Sequence, residues 1–459
     1  MTRPEADALV LFGVTGDLAR RKLFPALYEL AEDGDLEIPV IGVSRSEHDS
    51  DSFRRRVRAA IEEALGTIDE HVFERLAGRL QHVRGDYREP ATYDGIKLAV
   101  GDRTSVVSYL AIPPALYDDV IRGLAAVGLN HNGRLMVEKP FGRDTSSAQE
   151  LSRIIHRHYP EERVYRIDHF LGKEALQNLM VFRFSNTLLE PIWNRHYVRG
   201  VQITLAEDFG IEGRGAFYDS VGAMRDVFQN HLLVMMSLLA MEPPVSDHAD
   251  ALRDERIKVL KATRPLQSND VVTGQYSGYR NEPGVAEDSR TETYIAARLE
   301  VDSWRWAGVP WMIRAGKGLH RTITEAVVEF RRPPRLLFSD QMKAPGPNRI
   351  AFQTKPDDRI MLALQSKRPG PEIVSEPVNL SLDYEEDRDE ADDAYKRLLG
   401  DAIHGDQSLF TSINCVMEAW RIVQPMIDDP VVPYEYPRGS IGPDAADALL
   451  GDDWEWLTR

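Results

Sequence analysis

The sequence predicts an α/β chain in two parts: an N-terminal doubly wound parallel sheet, then an α+β part in which helices pack a large, mainly antiparallel sheet. Three observations lead there. Short apolar runs alternate with amphipathic stretches through the first third. After about residue 175, apolar runs follow one another without a helical stretch between each pair. The chain has 459 residues, well beyond the usual size of one domain. The reading sets domains at 1–172 and 173–459.

In the first part, Ala8 to Phe12 reads as a buried strand, and Leu18 to Ala31 as a helix with Leu23, Ala26, Leu27 and Leu30 on one face. Pro39 to Val43, Gln81 to Val83, Ser105 to Ala111, Arg134 to Val137 and Val164 to Ile167 read as further strands. Helices are expected over Ser52 to Leu65, near Ala91 to Val100, over Pro114 to Val127 and over Ser146 to His158. Such alternation implies a parallel sheet covered on both faces. In the second part, strands are expected at Val201 to Leu205, Thr293 to Leu299, Val309 to Ile313, Ala326 to Phe330, Ile360 to Leu364 and Leu380 to Leu382. A long apolar helix near Val221 to Met241 and another near Asn414 to Gln424 should pack on that sheet. Lys343 to Arg349 reads as a surface loop and the acidic Tyr384 to Asp393 as a solvated run.

Bulk chemistry narrows the function. A net charge of -17 argues against a nucleic-acid partner, which requires a basic face. An anionic ligand must therefore meet a local cluster of cations. The single cysteine, Cys415, excludes an internal disulfide and suits a reducing cytoplasm. No signal pattern opens the chain. No apolar run approaches about 18 residues, so no membrane span is expected.

Gly13-Val14-Thr15-Gly16-Asp17-Leu18 lies where the first strand hands over to the first helix. Glycines there let backbone approach a pyrophosphate, and a helix N-terminus offers N–H groups to it. Taken alone, Gly-x-x-Gly is also an ordinary tight turn; its place in the first strand–helix unit favours a Rossmann-like nucleotide site. Arg45 follows the second strand, where NAD-binding folds place an acid. Flanked by Ser44 and Ser46, it suits a 2′-phosphate, hence NADP.

Other segments bear chemistry. Glu138-Lys139-Pro140-Phe141-Gly142 sits at the C-terminal end of a strand, where open α/β sheets bind ligands. Arg166-Ile167-Asp168-His169-Phe170-Leu171-Gly172-Lys173-Glu174 crowds an acid, an imidazole and an ammonium after another strand. Asp226 to His231 opens the apolar helix. Oxidising a hydroxyl carbon needs a base for the hydroxyl proton, and histidine, with an unperturbed pKa of about 6.5, suits that task. Asp168 is the candidate carboxylate to orient it. Five α-helical residues would turn Asp226 about 140° away from His231, so Asp226 is expected to contact substrate from another side or to precede the regular helix. Arg314-Ala315-Gly316-Lys317 ends a strand of the second part, from which Lys317 can reach a sugar. No Cys/His grouping has convincing metal spacing.

Assembled in order, these motifs, with Pro191 to Arg195, Glu212 to Gly215, Asp393-Ala394-Tyr395 and Glu418 to Arg421, resemble the glucose-6-phosphate dehydrogenase family over nearly the whole chain. The resemblance implies oxidation of the C1 hydroxyl of glucose 6-phosphate to 6-phosphogluconolactone with reduction of NADP, the first step of the pentose phosphate pathway. It implies that His231 is the base and Asp168 its partner. Lys139, Glu207, Asp226 and Lys317 would hold the sugar, and His169 and Lys173 the phosphate. Gly13, Thr15, Gly16, Asp17, Leu18, Lys22, Arg45 and Lys139 would bind NADP. No metal is implied. Homodimers or homotetramers joined through the large sheet are expected.

Two positions depart from the family pattern. Phe170 stands where a tyrosine is usual, and Thr322 where a second basic residue is expected, with Arg321 beside it. A weaker grip on phosphate follows. The alternative reading is a catalytically weak paralogue or a dehydrogenase for a related sugar. Sugar oxidoreductases of the glucose–fructose oxidoreductase type share Glu-Lys-Pro but lack the Arg-Ile-Asp-His and Gln-Asn-His runs.

Overall fold

The computed structural model describes the chain except residues 1–4, 47–48, 336, 338–345, 384–389, 452–453 and 459; for 390–393 it describes the backbone. Contacts divide the chain into two compact units. The first comprises Met1–Glu174, Val245–Arg253 and Arg388–Met417, and the second Ala175–Pro244, Asp254–Asp387 and Glu418–Arg459.

The first unit is built on a seven-stranded sheet. Its strands are β1 (Ala8–Phe12), β2 (Val40–Ser44), β3 (Leu80–Arg84), β4 (Val106–Leu110), β5 (Arg134–Val137) and β6 (Val164–Ile167), in the order β6-β5-β4-β1-β2-β3 and all parallel. The strand Phe410–Thr411 adds itself antiparallel to β6. Every residue of β1, β2 and β4 is buried, as expected of strands covered on both faces. Val10 and Phe12 face a core shared with Ile96, Val120, Ile121 and Ile155 from three helices. On β2, Gly42 leaves room for the Phe53 ring, whose nearest carbon would lie 2.5 Å from an added Cβ. Each fully buried Val or Leu contributes about 1.5–3 kcal/mol relative to exposure, so this interior gives the loops at the strand ends a rigid support.

The expected helix over Leu18 to Ala31 forms in two pieces. Ala19–Leu23 is a π turn, and Phe24–Asp33 is α-helical with Pro25 in its first turn. Pro25 has no amide to donate and falls where the π turn passes into the α-helix, so the change of helix type coincides with the missing donor. Helices Glu70–Ala77, Glu174–Phe184 and Ala249–Ala262 were not anticipated.

The second unit carries a nine-stranded sheet. Its strands are β7 (Val198–Ala206), β8 (Val271–Tyr276), β9 (Tyr294–Glu300), β10 (Pro310–Gly316), β11 (Ile323–Phe330), β12 (Arg349–Lys355), β13 (Arg359–Lys367), β14 (Ser375–Asp383) and Tyr434–Tyr436. The order is β14-β13-β12-β11-β7-β10-β9-β8 and then Tyr434–Tyr436. Pairing is antiparallel except for β7 with β10 and β8 with Tyr434–Tyr436. The strands β8, β12 and Tyr434–Tyr436 were not expected. Of the surface loop expected at Lys343 to Arg349, residues 343–345 lie outside the described residues, and Arg349 already begins β12. Of the acidic run, residues 384–389 lie outside them, and Glu390 begins the helix Glu390–His404.

The long apolar helix is also divided. Met224–Leu232 is a π-helix and Leu233–Ala240 an α-helix. All eight residues of the α-helical part are buried, so its last carbonyls have no water to bond. Side chains take that place. Arg183 donates to the carbonyls of Leu238 and Met241 at 2.7 and 3.0 Å, Trp193 to Leu239 at 2.8 Å and Trp306 to Ala240 at 2.7 Å. These bonds fix the end of the rod that carries His231.

Candidate active site

The nucleotide-side loops of the first unit are shaped by backbone. Gly13 has φ +84°, and a Cβ there would meet the Ala111 carbonyl oxygen at 2.1 Å. Only glycine fits, and the turn closes when the Gly16 amide donates to the Gly13 carbonyl at 2.9 Å. The Tyr87 hydroxyl braces it, accepting from the Gly13 amide at 3.0 Å and donating to the Val43 carbonyl at 3.1 Å. Arg56 donates to the Thr15 carbonyl at 2.8 Å. Thr15, Gly16 and Asp17 are exposed, and no side chain caps the helix start at Leu18. Backbone close approach, an exposed Thr15–Asp17 segment and an uncapped helix start fit a pyrophosphate. Lys22 is half-buried. Arg20 is committed to Glu63 and Asp17.

Arg45 is exposed at the end of β2 and lies 3.8 Å from Asp86. The Ser44 hydroxyl is turned to His82 at 3.0 Å and its residue is buried. The hydroxyl expected from Ser44 is thus engaged elsewhere, which leaves Arg45 and Ser46 at this corner for a 2′-phosphate.

At the end of β5, Glu138 and Lys139 are half-buried. The Tyr109 hydroxyl donates to the Glu138 carboxylate at 2.6 Å, and the Tyr117 hydroxyl to the Glu138 carbonyl at 3.2 Å. Burial pushes the Glu138 carboxyl up to about 7, while Tyr109, the Lys139 charge and Tyr395 pull it down. A few residues on, Asp144 caps the next helix. The Ser147 amide, then the Ser147 and Ser146 hydroxyls, hold its carboxyl down at about 2.

After β6 the chain makes a compact turn. Asp168, 4% exposed, accepts from the Phe170 amide at 3.1 Å. The Leu171 amide donates to the Asp168 carbonyl and the Lys173 amide to the Phe170 carbonyl, at 2.9 and 3.2 Å. His169 meets the Phe170 ring edge-on, and the buried Lys173 ammonium stands 5.1 Å from that ring's centre. Phe170 is buried in this turn, in the place where a hydroxyl was expected.

The second unit gathers another set of groups. Glu207 follows β7 and Lys317 follows β10. Because β7 and β10 are parallel neighbours, both ends reach the same edge, and Lys317 donates to Glu207 in an ion pair. The Glu207 amide donates to the Gly316 carbonyl at 2.9 Å, and Tyr436 to the Lys317 carbonyl at 2.6 Å. The Lys317 ammonium lies 5.2 Å from the Phe209 ring centre and 5.5 Å from that of Tyr218. Burial holds the Tyr218 phenol protonated, and the charges of Asp226, Glu292 and Glu207 add to it. Tyr218, which sequence reading passed over, thus shares its surroundings with two carboxylates that it singled out.

Asp226 and the buried His231 both lie on the π-helical stretch. An i→i+5 helix stacks residues five apart roughly above one another. The expected 140° separation, calculated for an α-helix, therefore does not apply, and the two side chains share one face. The stretch is pinned at its start by Glu292, whose carboxylate accepts from the Met224 amide at 2.9 Å. Along it, Asn230 donates to the Arg225 carbonyl at 2.9 Å and accepts from the His231 amide at 2.7 Å. Thr322 accepts from the Asp208 amide at 3.2 Å and donates to the Asp208 carboxylate at 2.6 Å. Its hydroxyl braces the turn after Glu207, and Arg321 beside it is exposed.

Two family descriptions tile the chain. The glucose-6-phosphate dehydrogenase NAD-binding domain matches residues 10–178, and the glucose-6-phosphate dehydrogenase C-terminal domain matches 180–457. Glucose-6-phosphate 1-dehydrogenase 1 of Mycobacterium tuberculosis is 42% identical over 460 residues, covering 99% of this chain and 97% of the relative. The crystal structure of glucose-6-phosphate 1-dehydrogenase from Mycobacterium avium superposes with a TM-score of 0.92 at 42% identity, over 99% of this chain and 100% of that one. A glucose-6-phosphate dehydrogenase in complex with its substrate glucose-6-phosphate superposes with a TM-score of 0.92 at 33% identity, over all of both chains.

Proposed function

The chain belongs to the glucose-6-phosphate dehydrogenase family, and on that premise we propose that it oxidises the C1 hydroxyl of glucose 6-phosphate to 6-phosphogluconolactone with NADP as acceptor. The observation that carries this reading is the match of both family domains, end to end, on a chain that keeps Asp168, His231 and Lys139.

His231 takes the proton from the C1 hydroxyl as the C1 hydrogen leaves as hydride. Asp168 orients the imidazole and stabilises its charged form. The bound dinucleotide supplies the hydride acceptor. Gly13, Thr15, Gly16, Asp17, Leu18 and Lys22 hold its pyrophosphate side, and Arg45 its 2′-phosphate. Lys139 serves both the nicotinamide side and the sugar. Glu207, Asp226 and Lys317 hold sugar hydroxyls. The Glu207–Lys317 pair supports this, since it offers acceptor and donor together at one strand edge. His169 and Lys173 grip the 6-phosphate, for which their position in a turn fixed by Asp168 is suited.

The protein acts in the cytoplasm as a homodimer or homotetramer joined through the large sheet. The single cysteine, which permits no internal disulfide, supports the first statement, and the exposed Leu380 and Leu382 on β14 support the second. Among the described residues no helix is long and apolar enough to cross a membrane.

The test follows NADP reduction by absorbance with glucose 6-phosphate, glucose and galactose 6-phosphate. Turnover with glucose 6-phosphate far above the other two is expected. No turnover with any of them, in protein that binds NADP, would overturn the reading. Sedimentation at micromolar concentration checks the assembly, where a monomer would contradict it.

A further inference from the structure

The carboxyl of Glu138 has no part in the chemistry assigned so far, yet several groups converge on it. From β4 the Tyr109 hydroxyl donates at 2.6 Å. From the helix Glu390–His404 the Tyr395 hydroxyl also bonds to it. Lys139, its chain neighbour, presents its charge, and Tyr117 holds the Glu138 carbonyl. Asp168 acts electrostatically on the Tyr395 phenol. Tyr395 itself is buried. Its ring lies parallel to the His169 imidazole, with centroids 6.5 Å apart and planes 11° apart. One side chain, brought in from more than 200 residues later in the chain, therefore bonds the residue before Lys139 and lies alongside the ring of His169.

We propose that Tyr395 is a positioning residue for both: with Tyr109 it holds the Glu138 carboxylate beside Lys139, and its ring sets the plane of His169. The inference rests on the assignment of Lys139 and His169 to the sugar phosphate. The chemistry is that of acceptors and donors. An ionised carboxylate accepts from both phenols and attracts the Lys139 ammonium, whereas a protonated one gives up part of its acceptor capacity and its charge. Lys139 is then held less firmly. Each phenol that bonds the anion lowers the pH at which Glu138 ionises, so removing one raises it.

The test uses the full-length protein and measures kcat and KM for glucose 6-phosphate from pH 5.5 to 9. Tyr395→Phe should lower kcat about tenfold at pH 7 and move its acid limb up by roughly one pH unit, with KM within about twofold. Tyr109→Phe should move the same limb and leave KM in place. Tyr395→Leu, which also removes the flanking ring, should raise KM about fivefold or more. In a Glu138→Gln background, Tyr395→Phe should shift the limb no further, which separates Glu138 from the titration of His231. Both phenylalanine variants keep the ring volume, so the result does not depend on the leucine variant folding. An unshifted limb in both, with kcat falling only in step with the folded fraction, would overturn the inference. Lys139→Ala and His169→Ala serve as references. If they leave kcat and KM unchanged, the assignment beneath the inference fails and the inference with it. If they impair the enzyme while the tyrosine variants do not, the inference alone fails.

Discussion

The two units build the corners assigned to ligands above by opposite means. In the first, backbone does the shaping: Gly13 sits where a side chain cannot, and the turns at Gly13–Gly16 and Asp168–Lys173 close through amides and carbonyls. In the second, side chains do it: Glu207 and Lys317 meet as an ion pair, with Phe209 and Tyr218 against the ammonium. A backbone corner tolerates many side chains but few conformations. A side-chain corner tolerates backbone adjustment but depends on each partner being present.

The His231→Ala variant removes the proposed base and leaves both corners standing. Its kcat should fall by about 10²–10⁴-fold, with NADP affinity and melting temperature close to those of the parent; stopped-flow turnover and a thermal melt check this. Gly13→Ala attacks the backbone corner. Its Cβ would sit 2.1 Å from a carbonyl oxygen at φ +84°, so the loop must move. NADP affinity, read by fluorescence titration, should drop at least about tenfold. Parental affinity would mean that this turn does not shape the cofactor site.

Lys317→Met attacks the side-chain corner. It leaves the Glu207 carboxylate without its cation while keeping an unbranched side chain of similar length. Since Lys317 is buried and Glu207 only partly so, stability should fall by about 1–3 kcal/mol, with a raised KM for the sugar and unchanged NADP binding. Denaturant melts and titrations check both. The smallest effect is a gain. Phe170→Tyr adds a hydroxyl in the turn proposed to grip phosphate and should lower KM for glucose 6-phosphate by up to about tenfold. No improvement would mean that the lost hydroxyl is not what limits the grip.

Much of the first unit was legible because its signals are local. Buried parallel strands read as apolar runs, and helices between them read by their periodicity, so β1, β5 and β6 lie at the residues read for them. Gly13, Lys139 and Asp168 then follow as residues at strand ends. Tyr87 and Tyr109 were not legible, because each acts through its hydroxyl on a residue dozens of positions away. Nor was Tyr218, whose buried phenol reads in sequence like any aromatic.

What the sequence by itself determined was the chemical inventory and its order: a carboxylate and cations placed after strands and a histidine near the start of a helix, in motifs whose family resemblance the comparisons bear out. What only the tertiary structure decided was the direction in which these groups point. A parallel pair within a mainly antiparallel sheet brings Glu207 and Lys317 to one edge. A π-helix puts Asp226 and His231 on one face, where α-helical spacing would have separated them. Helix period and strand direction depend on packing partners far along the chain, and local residue preferences carry no record of them.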